Sequence, residues 1–374
     1  MNRTQPSNGA LTSLESALAG LLEGLVAVAP ISVPLGEAAG LVAAEMPAVA
    51  APLPAYNRAT IDGWALRSLD LAGASSYSPV PLSGAPEWVE TGDPLPESCD
   101  CVIEADLVEC HGPLAQALAE AVPGEGVRRA GEEVAAGRPS VISGRSLSAA
   151  DLLVARAVGL DKIAVRSPRL RLIDVASNDG STLTASLVAE LAGAAGARVT
   201  TATISREAEA IAKILDAAPC DLIVLIGGTG FGRTDATIAA LSMRGALIAH
   251  GIALQPGRTA ATGRLAATPI VALPGAPDQA FSAYHMLVQP LLDRLCGRLA
   301  RPGAVLPLAR KISSGIGLTE IALVRQEQSG WLPLAVGALS LDHIRMADAW
   351  LAIPGGSEGY PAGMPVEAFP LRAS

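Results

Sequence analysis

Residues 221–235 read Asp-Leu-Ile-Val-Leu-Ile-Gly-Gly-Thr-Gly-Phe-Gly-Arg-Thr-Asp, an apolar run that stops abruptly at glycine. The run DLIVLIG has no polar alternation, so it reads as a strand buried on both faces, the pattern of a parallel sheet. The glycines that follow permit a tight turn and let main-chain N–H groups approach an anion. Thr234 is placed to cap a helix over 234–244, whose amino end adds favourable partial charge for that anion. The turn lacks the dinucleotide fingerprint spacing and the Lys-Ser/Thr of a P-loop. An ordinary close strand-to-helix turn has the same composition, so this stretch decides the architecture before it decides the chemistry.

Outward from it, strand and helix alternate. RLRLIDVAS from Arg169 is a buried-strand run, 182–195 a helix, RVTTATI a strand, and 206–217 a helix. Downstream, PIVALPG is a strand and 277–292 a long helix. Such alternation implies a mostly parallel sheet with helices on both faces and a ligand crevice at the carboxyl ends of the strands. A second strand end, Leu-Pro-Gly-Ala-Pro-Asp at 273–278, opens the long helix with Pro277 at the favoured first position. Just upstream, Gln255-Pro256-Gly257-Arg258 ends in a guanidinium suited to a phosphate or oxyanion. Residues 169–300 therefore form the expected α/β domain. Residues 51–123, with short β-rich runs (YSPVPL, EWVETG, CDCVIEADLVEC) between Pro/Gly turns, form a β-rich domain. Residues 1–50 and 124–168 read as a helical connector, with one helix over 11–28 behind a Thr12/Ser13 cap and another over 148–158 stopped by Gly159. Short strands and Pro/Gly turns in 301–374 point to a β-barrel-like final domain. The class is multi-domain α/β.

Composition narrows the function. With 374 residues, 50% hydrophobic and 17% charged, the chain is too apolar to be disordered and shows no short collagen-like period. A net charge of −9 gives no general attraction for nucleic acid or anionic membranes, so an anionic ligand must be held locally. No apolar run is long enough for a membrane span. Five cysteines, an odd number without paired CxxC spacing, read as reduced thiols of a cytoplasmic protein. Cys99, Cys101, Cys110 and His111 can be drawn as a metal cluster, but the alternation in CDCVIEAD favours a strand. The four histidines show no metal spacing, and His285 sits at core spacing in the long helix. The basic residues are 24 Arg against only three Lys (Lys162, Lys213, Lys311).

Acidic and hydroxyl residues recur in glycine turns: Asp62 in TIDGWALR, Thr91 in Thr91-Gly92-Asp93, and Glu133 in Gly131-Glu132-Glu133. For Asp62 alone an ordinary turn explains the residue type. Taken together and in order, these stretches resemble the molybdopterin molybdenumtransferase family, which includes the E domain of gephyrin. TIDGWALR resembles its (S/A)MDGYA(V/L)R signature, VETGDPLPESCDCVIEAD its MTGAPVP stretch, and RRAGEEVAAG its RRRGED segment. LIGGTGFGRTD resembles its SGGVSVGxxD loop, LQPGRTAATGRL its KPGKPxxFGxL element, and VALPGAPDQAFSAYHMLVQPLL its GLPGNPVSAxxTFxxxVxPxL element.

The resemblance implies an enzyme of molybdenum cofactor biosynthesis that inserts molybdate into adenylylated molybdopterin and hydrolyses the adenylyl bond with Mg²⁺. It also implies a homodimer whose cleft joins the α/β domain of one chain to the β-rich domain of its partner, and whose product passes to a molybdoenzyme or another cofactor-biosynthesis protein. Carried residue by residue, Asp62, Thr91, Glu133 and Asp235 match the catalytic positions, Glu133 standing where Asp is usual. Asp179, Gly227, Gly228, Thr229, Gly230, Gln255, Arg258, Pro274, Gly275, Pro277 and Asp278 match substrate-binding positions. Asp235 and Asp221 are the implied Mg²⁺ ligands, since a hard cation takes few carboxylate oxygens. The departures are Gly180 for an acidic residue, Gln255 and Arg258 for lysines, and Ala276 for Asn. Arg258 follows the chain-wide replacement of Lys and Gln255 does not. Those losses motivate a second reading, a non-catalytic molybdopterin-binding carrier or regulator.

Overall fold

The computed structural model describes residues 11–111, 114–177, 180–232 and 235–372. It divides into two units. One runs from the first described residue to Glu45 and includes 143–148 and everything from Lys162 onward; the other comprises 46–142 and 149–161. The expected connector is thus split: 124–142 and 149–161 go with the β-rich unit, and the N-terminal segment goes with the α/β domain.

At the centre of the first unit lies the sheet expected from the alternation. Its elements are β1 (Arg169–Val175), α1 (Leu183–Ala194), β2 (Arg198–Ile204), α2 (Ala208–Ile214), β3 (Leu222–Ile226), α3 (Thr237–Met243), β4 (Leu247–His250), β5 (Ala261–Leu265) and β6 (Thr268–Leu273). The strand order is β2-β1-β3-β6-β5-β4. The first four run parallel, in register Leu170↔Leu222 and Ile226↔Leu273, while β5 runs antiparallel to both of its neighbours, β6 and β4. Alternate residues of each central strand enter two apolar layers. Leu170, Leu172, Val224 and Leu273 pack with Val188 and Ala192 of α1, whereas Ile173, Leu225 and Ala272 pack with Ile211 of α2 and Leu241 of α3. Helices on both faces explain why DLIVLIG shows no polar alternation.

The long helix, α4, begins at Pro277 and continues through a π-turn over Tyr284–Val288 to Cys296, where Gly297 stops it at φ 61°. Pro290 has no N–H to donate into the ladder, and a π-turn immediately before it accommodates the missing bond. Ala276 is the N-cap and makes no side-chain bond there. An Ala276→Asn substitution is expected to raise stability by about 1 kcal/mol, read as a higher midpoint in urea.

The N-terminal helix is shorter than its apolar pattern, spanning Leu14–Leu22 with the Ser13 hydroxyl accepting the Ser16 N–H; Gly24, at φ 67°, ends the run. Leu14, Ala17 and Leu21 join the layer beside α1 and α4. After α4, strands Ala304–Pro307, Thr319–Glu327, Gly330–Val336, Ala349–Ile353 and Pro365–Pro370 build a further sheet, to which Leu254–Gln255 adds a parallel edge. An isolated bridge between Leu308 and Trp331 links the first of these strands back to the third.

In the second unit Gly63–Leu66 pairs with Glu87–Val89 and Cys101–Ile103, a second small sheet joins Val80–Pro81, Leu114–Ala117 and Val108–His111, and Ala149–Ala157 is helical. Cys101 is a buried strand residue whose thiol donates to the Leu66 carbonyl, so the strand reading of CDCVIEAD holds. Among the described residues no group of three or more His, Cys, Asp and Glu side chains could hold a metal ion, and no helix is long and apolar enough to cross a membrane.

Candidate functional site

Strand order turns between β1 and β3: β2 lies beyond β1, and β6, β5 and β4 lie beyond β3. Crossovers leaving such a point in opposite directions open a crevice at the carboxyl ends, where open α/β sheets bind ligands. The glycine loop leaves β3 there. Gly227 (φ 87°) and Gly228 (φ 64°) take the left-handed conformation. Gly227 N–H donates to Leu273 O at 2.9 Å, fastening the loop to the end of β6. Thr237 Oγ1 donates to Gly227 O at 2.7 Å and Thr237 N–H to Gly228 O at 3.1 Å. A Cβ on Gly228 would lie 2.7 Å from Thr237 Oγ1, so the close approach itself requires glycine. Among the described residues no acceptor takes the N–H groups of Gly228, Thr229, Gly230 or Phe231. Consecutive open donors of this kind suit an anion.

The helix contributes less than expected. It begins at Thr237 behind an Ala236 cap without a side-chain bond, and its first N–H is occupied by Gly228 O. The candidate cap Thr234 lies outside the described residues, as does Asp179.

Asp235 closes the loop from the other side. Its Oδ2 accepts the Gly232 N–H at 2.9 Å, and its Oδ1 lies 3.4 Å from an Arg206 guanidinium nitrogen. Cβ atoms on Gly230 and Gly232 would fall 2.6 and 2.9 Å from Oδ2, so the glycines exist to let the carboxylate in. Arg206 follows the carboxyl end of β2 and was not singled out from the sequence; its position one strand beyond β1 is the signal that could have found it. Thr229 is buried, its hydroxyl 3.4 Å from that of Thr259, and its carbonyl accepts the His250 Nε2–H at 2.8 Å. Asp174, near the carboxyl end of β1, was also missed: it is 8% exposed, and burial pushes its carboxyl up.

The second strand end is joined to the first. Thr184 Oγ1, in the first turn of α1, donates to Gly275 O at 2.6 Å, and a Cβ on Gly275 would lie 3.6 Å from Gly227 Cα. Gly275 thus borders the glycine loop, and Pro277 and Asp278 follow it in the first turn of α4. Gln255 and Arg258 have different fates. The Gln255 amide donates to the Gly337 carbonyl at 3.1 Å, engaged with the C-terminal sheet. The Arg258 side chain is exposed and has no ion-pair partner among the described residues.

Asp221 does not join Asp235. It precedes β3 while the loop follows it, which puts the two ends roughly 20 Å apart at strand rise. Its carboxylate accepts from Arg169 N–H at 2.7 Å and from the guanidinium at 2.9 and 3.1 Å. Burial pushes this carboxyl up, but the Arg169 bonds and charge outweigh it and hold it below its ordinary range. A groove of about 510 Å³ at the amino ends includes Asp221, Arg169 and Arg198. A groove of about 1150 Å³ belongs to the C-terminal sheet around Trp331, Asp348 and Arg372 and holds none of the loop residues.

In the second unit the structure brings Asp62 and Thr91 together. Asp62 Oδ1 accepts the Thr91 N–H at 2.7 Å and its hydroxyl at 2.8 Å, which lowers the carboxyl pKa below its ordinary value. Gly63 follows because a Cβ there would collide with the Ile103 carbonyl at 2.1 Å. Glu133 pairs instead with Arg128 at 2.7 Å, both half exposed. Asp62→Ala removes two surface bonds, so its melting temperature is expected to stay within about 2 °C of the parent.

Residues 12–159 match the family described as MoeA N-terminal region (domain I and II), and 175–294 the family described as "Probable molybdopterin binding domain". Molybdopterin molybdenumtransferase 2 of Mycobacterium tuberculosis is 28% identical, over 89% of this chain and 91% of its own. Molybdopterin molybdenumtransferase of Synechococcus elongatus is 27% identical over 95% and 99%. The crystal structure of the molybdopterin biosynthesis MoeA protein from Pyrococcus horikosii superposes with a TM-score of 0.77 at 26% identity, covering 97% of this chain and all of that one. With both domain families in this order and relatives matched over most of their length, the chain carries a MoeA N-terminal region followed by a probable molybdopterin binding domain and is similar over most of its length to molybdopterin molybdenumtransferases.

Proposed function

We propose that this protein inserts molybdate into adenylylated molybdopterin and releases AMP by hydrolysing the adenylyl bond. One observation carries the reading: open N–H donors at 228–231 and the Asp235 carboxylate share one loop at the switch point of the sheet. Donors and acceptor so placed bind the phosphates of a substrate beside a cation. A Mg²⁺ ion fits this donor set, because Mg²⁺ commonly uses one or two carboxylates and completes its octahedron with substrate phosphates and water. Asp235 is the residue that would hold it; Asp221, locked to Arg169, is not. When bound, the ion neutralises charge developing on the adenylyl phosphate. The loop N–H groups orient the phosphates, Arg206 fixes the direction of the Asp235 carboxylate, and exposed Arg258 supplies a guanidinium for molybdate. In the second unit Asp62, ionised by its Thr91 bonds, is an acceptor for water or for a substrate donor. We also propose a cytoplasmic homodimer, checked by sedimentation.

Gln255 favours a second reading, since its amide is held by Gly337 O and carries no charge toward an oxyanion. A carrier would bind adenylylated molybdopterin without turnover. Expression in a bacterium lacking its own molybdopterin molybdenumtransferase separates the two. Restored molybdoenzyme activity is the expected result, and cell growth without it, despite soluble protein, supports the carrier. Chelating Mg²⁺ with EDTA is expected to abolish AMP release in vitro and re-addition to restore it.

A further inference from the structure

Phe231 stands in the glycine loop where the resembling family pattern has Val, and it is 74% exposed. The chain has only three Phe; Phe281 is buried and Phe369 is partly buried, so Phe231 is the one turned to solvent. A single exposed apolar side chain is ordinary on any protein surface. This one has two further features. Its ring lies 5.0 Å from that of His250, tilted by 38°, so one face is backed. His250 itself is anchored, its Nε2–H donating to Thr229 O two residues before Phe231. The aromatic pair is therefore fixed to the same loop that presents the open N–H donors, and the outer face of Phe231 remains uncovered among the described residues.

We propose that Phe231, backed by His250, is the stacking platform for a planar nitrogen heterocycle joined to the phosphate held by the loop. This deepens the functional reading above and rests on it. Every such heterocycle offers a π-face, and an aromatic side chain beside an anion site binds a ring and its phosphate together. The adenylylated substrate carries two candidate rings, adenine and pterin, and AMP and 6-hydroxymethylpterin phosphate separate them.

The test is calorimetric titration of the full-length protein and of F231A, F231L and F231W with each probe and with adenylylated molybdopterin. For the stacked ring, F231A and F231L are expected to bind about tenfold more weakly, F231W to bind at least as tightly as the parent, and the new indole to be quenched on binding. Loss confined to AMP assigns adenine, and loss confined to the pterin probe assigns the pterin. Unchanged affinities in F231A, with the parent binding normally, would overturn the proposal. So would a fall in F231A from dimer to monomer without loss of ring binding, which would make Phe231 a subunit contact. A parent that binds none of the three ligands would overturn the functional reading itself.

Discussion

Replacing Asp235 by Asn is expected to lower AMP release by about 100-fold or more, the scale of losing a charged group that holds a catalytic cation. Asn keeps the shape and an oxygen able to accept the Gly232 N–H, so the loop should stay folded. It loses the charge that faces Arg206, 3.4 Å away, and the only carboxylate found on the loop. Binding of AMP should change little, because the open N–H donors remain, so the loss should appear in kcat. Single-turnover AMP release against Mg²⁺ concentration distinguishes a lost cation site from a collapsed loop. A variant with unchanged kcat and Mg²⁺ dependence would remove Asp235 from the chemistry.

The largest expected effect on stability comes from His285. It is buried in α4 among Phe281, Tyr284 and Trp350, with ring centroids 4.5, 5.3 and 5.1 Å away. Its Nδ1 lies 2.6 Å from Gln289 Oε1 and donates to it, leaving Nε2 with no partner among the described residues. Burial lowers its pKa most, the Gln289 bond opposes that, and the Arg301 charge adds to the lowering, which brings it from 6.5 to about 4. Between those values the unfolded chain takes up a proton that the folded chain refuses. The stabilisation is therefore complete above pH 6.5 and is lost as pH falls through the interval, by about 2 kcal/mol between pH 7.5 and 5. Urea midpoints at the two pH values should show that loss in the parent and a smaller one in His285→Phe, which cannot titrate. Parallel pH dependences in the two proteins would refute it.

The centre of the sheet was legible because a strand covered on both faces has only one sequence texture, which RLRLIDVAS, DLIVLIG and PIVALPG show, whereas RVTTATI is an edge strand left partly exposed. The glycine loop was legible for the same local reason. Side-chain pairings across long separations were not. Gln255 reaches Gly337 across 82 residues and Arg206 reaches Asp235 across 29, and no periodicity records either contact. The family resemblance makes Asp221 a site residue, as the Asp at the start of the strand before the glycine loop; that end of the strand places it with Arg169. The N-terminal helix was overdrawn because apolar residues continue past Gly24, where the backbone turns left-handed and the chain becomes extended. The Arg-rich composition accounts for Arg in place of Lys at 258, and that side chain is exposed without an ion-pair partner among the described residues.

The direct test is to incubate the purified protein with adenylylated molybdopterin, Mg²⁺ and molybdate, measuring AMP and the active cofactor transferred to a molybdenum-free apoenzyme. Molybdate-dependent AMP release with matching apoenzyme activation is the predicted result. Tight binding of the substrate with neither AMP nor active cofactor formed would contradict it.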